Sequence, residues 1–103
     1  MDRIVNKKIT YSEFIKSNPK FTGHAILKDG EVYLKEGTFH RIDGPAIIEG
    51  SEEIWLYEGL YHRIGAPAYK GNYFHFGIRF DPNSKEFKRK QLEFKLRVFL
   101  EDV

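Results

Sequence analysis

The residues best suited to chemistry in this chain are two histidine–arginine pairs, His40-Arg41 and His62-Arg63, set 22 residues apart. An imidazole titrates near neutrality and can act as acid, base or metal ligand. Asp43, three residues after His40, would complete a shared metal site or orient the ring as a base. The spacing argues against a shared metal. Equivalent residues of successive hairpins lie two strands apart, roughly 9.5 Å at ~4.8 Å per strand. Two imidazoles on one zinc ion each sit ~2.0–2.1 Å from it, much closer together than that. Asp43 is also replaced by Gly65 in the second copy. The pairs therefore read as structural: each satisfies loop carbonyls and packs a ring on its neighbour. The sequence contains no G-x-S-x-G, no phosphate-cradling P-loop, no H-E-x-x-H and no cysteine. No catalytic residue, metal ligand or cofactor is assigned, and the chain is expected not to be an enzyme.

The elements that must position these pairs follow from their repetition. Gly37-Thr38-Phe39-His40-Arg41-Ile42-Asp43-Gly44-Pro45-Ala46 returns as Gly59-Leu60-Tyr61-His62-Arg63-Ile64-Gly65-Ala66-Pro67-Ala68. The similarity extends both ways. Gly23-His24-Ala25-Ile26-Leu27 matches Gly44-Pro45-Ala46-Ile47-Ile48, and Val32-Tyr33-Leu34-Lys35-Glu36-Gly37 matches Ile54-Trp55-Leu56-Tyr57-Glu58-Gly59. A third, decayed copy keeps Ala66-Pro67-Ala68-Tyr69 and Tyr73-Phe74-His75-Phe76-Gly77 but has Ile78-Arg79-Phe80 where His-Arg is due. Three units follow: Gly23–Asp43, Gly44–Gly65 and Ala66–Phe87. Each reads as a β-hairpin, with an apolar run, a turn at Asp29-Gly30 or Gly50-Ser51, then an aromatic and β-branched run. Pro45 and Pro67 lack an N–H and belong in a loop or at the first residue of a strand.

Two flanks enclose the array. Thr10-Tyr11-Ser12-Glu13 is a capping box and predicts a short helix over Tyr11–Ser17, stopped near Asn18-Pro19. Asn83 or Ser84 caps a second helix beginning Lys85-Glu86-Phe87. Beyond it two periods compete. Leu92, Phe94, Leu96 and Val98 alternate with charges at strand period, whereas on a helix Leu92, Leu96, Phe99 and Leu100 share one face and Phe87, Phe94 and Val98 lie away from it. A helix from Ser84 is the preferred reading, with its end left open. The expected fold is one mainly β domain over residues 1–103: an antiparallel meander of about six strands, with a flank over 1–22, stacked hairpins over 23–87 and a basic, apolar segment over 88–103.

The array resembles the MORN class of β-hairpin repeats. It is similar in particular to a variant with the pattern W/Y-x-x-G-x-x-H-R-x-D-G-P-A, found in bacteriophage and bacterial proteins. Gly37, His40, Arg41, Asp43, Gly44, Pro45 and Ala46 carry the pattern in the first unit; Trp55, Gly59, His62, Arg63, Pro67 and Ala68 carry it in the second. The departures are Gly65-Ala66 for Asp-Gly and the missing third His-Arg. The resemblance covers about two thirds of the chain. It implies stacked hairpins and a role in binding proteins or lipids, and no reaction.

Composition narrows the partners. The 103 residues include sixteen aromatic rings, enough for a core. The first ten residues hold Asp2, Arg3, Lys7 and Lys8 and no apolar run, so no signal peptide is read there, and no stretch is long and apolar enough to span a membrane. With no cysteine, a cytoplasmic location is expected, in the host cytoplasm if the chain is phage-encoded. The net charge of +2 is too small to imply nucleic acid, but Lys85, Lys88, Arg89, Lys90, Lys95 and Arg97 concentrate base at one end. The first reading is an accessory protein that binds and modulates a protein partner, using Tyr33, Trp55, Tyr57, His40, Arg41, His62 and Arg63, with self-association possible at open edges. The alternative is nucleic-acid binding through the six basic residues, with Phe87 or Phe94 stacking on bases. Strand alternation places Trp55 and Tyr57 together, opposite Leu56.

Overall fold

The computed structural model describes residues 2–101. In chain order the elements are β1 (Asp2–Asn6), α1 (Tyr11–Ser17), β2 (Gly23–Leu27), β3 (Gly30–Lys35), β4 (Thr38–Phe39), β5 (Ile47–Glu49), β6 (Glu52–Ile54), β7 (Leu56–Tyr57), β8 (Leu60–Tyr61), β9 (Tyr73–His75), β10 (Ile78–Phe80) and α2 (Lys85–Glu101). The fold is mainly β with two helices.

The strands are shorter than the sequence predicts and fall into three sheets, not one. The largest has the order β1-β2-β3-β5-β6, with β4 also on β3; β7–β8 and β9–β10 form two small ladders. Every pairing is antiparallel except β1 with β2, which runs parallel from Asp2↔Gly23 to Asn6↔Leu27. Residues 1–22 were expected as a flank with a short helix, and β1 is an addition to it. Only Ile4 of β1 is even half-buried, so its sequence lacks the alternation that marks a strand. The pairing is supplied by β2 across the α1 crossover, a non-local cause that local pattern does not contain.

Helix α1 spans the residues its capping box predicts. Thr10 Oγ1 accepts the Glu13 N–H at 3.3 Å, and the Glu13 carboxylate accepts the Thr10 N–H, also at 3.3 Å. Phe14 points from α1 into a core of Ala25, Leu27, Val32 and Leu34. Those four come from alternate positions of β2 and β3, so one face of the sheet is covered by α1. Tyr33 and His24 project from the other face and stack with ring centroids 4.2 Å apart.

The hairpin between β2 and β3 turns on Lys28-Asp29, since Leu27 pairs with Gly30. Gly30 is needed for a different reason than the predicted turn. It has φ +139°, and a Cβ there would stand 2.3 Å from the Ile48 carbonyl oxygen of β5.

Helix α2 starts inside the third sequence unit, so the unit boundary at Phe87 falls within a helix. Ser84 caps it through Oγ, which accepts the Phe87 N–H at 3.2 Å. Of the apolar face expected to be shared, Leu92, Leu96 and Leu100 are turned outward, and the side chain of Phe99 lies outside those described. Phe87, Gln91 and Phe94 are buried and Val98 is half-buried, at i, i+4, i+7 and i+11, whereas Leu92, Leu96 and Leu100 are 57%, 55% and 71% exposed. Ring burial decides this. Phe87 meets Tyr73 and Phe80, and Phe94 meets Tyr57, Phe76 and His62. Rings bury more area per residue than leucines and gain edge-to-face contacts besides.

Candidate interaction surfaces

The loop residues of the repeated motif divide their tasks between side chains. His40 Nδ1 accepts the Glu58 N–H at 3.0 Å, and His62 Nδ1 accepts the Phe76 N–H at 3.1 Å. Thr22 Oγ1 does the same for the Glu36 N–H at 2.8 Å. All three N–H groups belong to residues with φ between +46° and +52°, and each precedes a glycine with φ between +80° and +83°. Each of these glycines also donates its N–H, to the carbonyls of Phe21, Phe39 and Tyr61 at 2.8–2.9 Å. A non-glycine residue in the left-handed region costs about 1–2 kcal/mol, and the side-chain cap offsets part of that cost.

Each arginine clamps its own loop. Arg41 Nη1 donates to the Pro45 carbonyl at 3.2 Å, its Nε to Asp43 Oδ1 at 3.2 Å, and its guanidinium lies 3.9 Å from the Tyr33 ring centroid. Arg63 Nη1 donates to the Pro67 carbonyl at 3.1 Å and covers the Trp55 ring at 3.8 Å. Gly44 lies beneath the first clamp: a Cβ there would meet Arg41 Cζ at 2.3 Å.

The seven residues expected to bind a partner are therefore split. Tyr33 pairs with Arg41, and Trp55 pairs with Arg63, so a guanidinium covers one face of each ring. Tyr57, His40 and His62 form a second group, with Tyr57 4.3 Å from His40 and 5.8 Å from His62 by centroids. Trp55 lies under Arg63, whereas Tyr57 lies among His40, His62, Phe76 and Phe94. The extended run is interrupted at Trp55, between β6 and β7, so simple alternation does not carry across it. Leu56 between them is buried.

His62 is the centre of a packed joint that the sequence did not reveal. It is 1% exposed and touches His75, Phe76 and Phe94 at centroid distances of 4.7, 4.4 and 4.4 Å. Because Nδ1 accepts, the neutral ring carries its proton on Nε2. That atom is buried without a hydrogen-bond partner among the described residues, inside the cluster of rings. Burial first, then the neighbouring His75 and Arg97, depress its pKa to about 4. His40 and His75 are also lowered, chiefly by burial. Gln91 completes the joint. Its Oε1 accepts the Gly65 N–H at 2.8 Å, and its Nε2 lies 3.2 Å from the Arg63 carbonyl and 3.1 Å from His75 Nδ1. Only its amide chemistry could have signalled this role, and a polar residue on an apolar period is easily passed over.

The six basic residues all lie on α2 but do not form one patch. Lys90 and Arg97 border a cleft with His75, Phe76, Glu93 and Phe94; Arg97 stands 5.1 Å from the Phe94 centroid. Lys85, Lys88, Arg89 and Lys95 are exposed with the leucines. Phe87 and Phe94, each 4% exposed, are in the core and offer no face to a base.

No helix among the described residues is long and apolar enough to cross a membrane. Among those residues no three His, Asp or Glu side chains converge as metal ligands. Comparison of the chain with protein-family models, with curated proteins and with solved structures finds no match.

Proposed function

We propose that this protein is a non-enzymatic protein–protein interaction module, an accessory protein of phage or bacterial type that binds and modulates a host factor in the cytoplasm. One observation carries the reading: the outer face of α2 exposes Leu92, Leu96 and Leu100 in a row, one helical turn apart, on a helix already docked by its other face. A row of uncovered leucines of this kind marks a site that a partner covers. The histidines and arginines of the loops act as caps and clamps.

Residues 23–87 are read as three MORN-like hairpin units that hold this helix. Support comes from contacts recurring at the 22-residue offset: the Tyr33 N–H to the Ala46 carbonyl and the Trp55 N–H to the Ala68 carbonyl, at 2.8 and 2.9 Å, with Ala46 and Ala68 both fully buried.

Nucleic-acid binding is the second reading, favoured by the exposed Lys85, Lys88, Arg89 and Lys95. The leucines among those cations weigh against it, since a phosphate backbone gains nothing from them. The test is affinity capture from bacterial lysate with the full chain and with Leu92→Glu/Leu96→Glu. A stoichiometric protein held by the first and lost by the second is expected. Failure to hold any protein, together with DNA or RNA binding whose affinity falls steeply with salt, near −0.7 per contact on single strands in a log–log plot, overturns the reading.

A further inference from the structure

The outer face of α2 is specific enough to describe its partner, given the protein-binding reading above. Positions 85, 89, 92, 96 and 100 run along one side of the helix at i, i+4, i+7, i+11 and i+15. They are Lys, Arg, Leu, Leu and Leu, so the side is cationic in its first turns and apolar in its last. Lys88 and Lys95 flank it on one side and Glu86 and Glu93 on the other. Arg89 has Glu93 at 3.8 Å, whereas Lys85, Lys88 and Lys95 take part in no ion pair among the described residues. Beside Leu92 the surface falls into a groove of about 350 Å³, whose lining includes Tyr73, Pro82, Phe87, Lys88 and Lys95.

We infer that this face receives an amphipathic helix of another protein whose apolar ridge lies on Leu92, Leu96 and Leu100 and whose flanking carboxylates meet Lys85, Lys88 and Lys95. Charge selects the occupant. In an antiparallel pair of two copies of this chain the Lys88–Lys95 flank would face itself and the Glu86–Glu93 flank would face itself, like-charge contacts that interfaces avoid. An acidic partner neutralises them, and the groove gives one of its side chains a concave seat. A bilayer is the weaker fit. It presents no side chain to fill a groove, and α2 contains no Trp or Tyr to hold it at headgroup level.

A library of displayed helical peptides, selected on the full chain at low and physiological salt, tests this. The expected winners carry Leu, Ile or Phe at i, i+4 and i+7 with Asp or Glu beside them. Their affinity should fall at least about tenfold on Leu96→Glu, a surface change that leaves the far-ultraviolet circular dichroism intact. Lys88→Glu/Lys95→Glu should weaken them similarly, and Lys in place of the peptide's Glu should restore binding to that variant. Winners that need Leu96 but are neutral or basic overturn the acidic-partner inference and leave the protein-binding reading standing. Winners indifferent to Leu92 and Leu96 place binding elsewhere and overturn the inference too. No winners, with binding instead to phosphatidylglycerol vesicles or single-stranded DNA, sink both.

Discussion

The Nδ1 atom of His62 lies 3.1 Å from the backbone nitrogen of Phe76, and that N–H belongs to a residue held at φ +46°. The imidazole thus caps a strained turn in the next hairpin from within the ring cluster beneath α2. One side chain ties together the loop it starts, the turn it caps and, through Phe94, the helix that presents the proposed docking face. Its protonation state is therefore a property of the whole C-terminal half.

Acid should weaken this joint. The His62 pKa is lowered from 6.5 to about 4 in the folded chain, so between those values the unfolded state binds more protons. Its contribution is fully present above about pH 6.5 and is lost as pH falls through 4. The full shift corresponds to roughly 3 kcal/mol. Protonation would also put an N–H on Nδ1, facing the Phe76 N–H. Urea unfolding followed at pH 7, 5.5 and 4 should show the decline, and His62→Asn, which keeps an acceptor near the Nδ1 position, should flatten it. An unchanged slope in that variant would assign the acid sensitivity to other groups, His40 and His75 first.

Removing Gln91 should loosen the seat of α2. Gln91→Leu leaves the Gly65 N–H and the Arg63 carbonyl without the partners they have now. Both bonds are part-buried and Gly65 itself is exposed, so each contributes about 0.5–1.5 kcal/mol. The expected loss is about 1–3 kcal/mol, with amide exchange in α2 accelerating more than exchange in β2 and β3. Equal acceleration in both regions would mean that the helix has no separate joint to lose.

These residues also show where the sequence was readable. The capping box named α1 to the residue, because both of its partners lie within one turn. The Gly37 and Gly59 turns were readable from the repeat, because positive φ leaves a mark on composition. The face of α2 was not. Leu92, Leu96 and Leu100 carry the stronger leucine period, but burial went to Phe87, Gln91 and Phe94 because rings on β7, β9 and β10 waited for rings, and two loop backbone groups needed an amide. The histidines were expected to satisfy loop carbonyls; instead they accept the Glu58 and Phe76 N–H groups one hairpin further on, which spacing within a motif cannot reveal. The parallel β1 was hidden for the same reason.

Trp55 is the chain's one tryptophan, so its fluorescence reports on Arg63 directly. Arg63→Lys keeps the charge but gives up the planar stack at 3.8 Å and the fixed reach to the Pro67 carbonyl. The emission of Trp55 should shift to the red, and stability should fall by about 1 kcal/mol. Arg41→Lys should cost a similar amount while leaving the emission unchanged. A spectral change in the Arg41 variant would show that the two loops are not separate clamps.

Glycine substitutions should separate turn strain from close approach. At Gly50 (φ +61°) and Gly65 (φ +76°) a Cβ meets nothing within 4 Å, so alanine there faces backbone strain alone, about 1–2 kcal/mol. At Gly37 the φ of +82° is joined by the Pro19 carbonyl oxygen, 2.0 Å from the added Cβ. Backbone must move there, and the connection from α1 into β2 moves with it. Gly44 is the third case. Its alanine would not be forced into the left-handed region but would strike the Arg41 guanidinium at 2.3 Å, the end of a flexible side chain that can swing away and forfeit its stack on Tyr33. Thermal unfolding of the four alanine variants should therefore rank Gly37→Ala as the most damaging by a clear margin. Gly44→Ala should behave like loss of the Arg41 clamp, so that combining it with Arg41→Ala adds little further destabilisation. Full additivity in that double variant would mean that Gly44 is required for some reason other than the guanidinium above it.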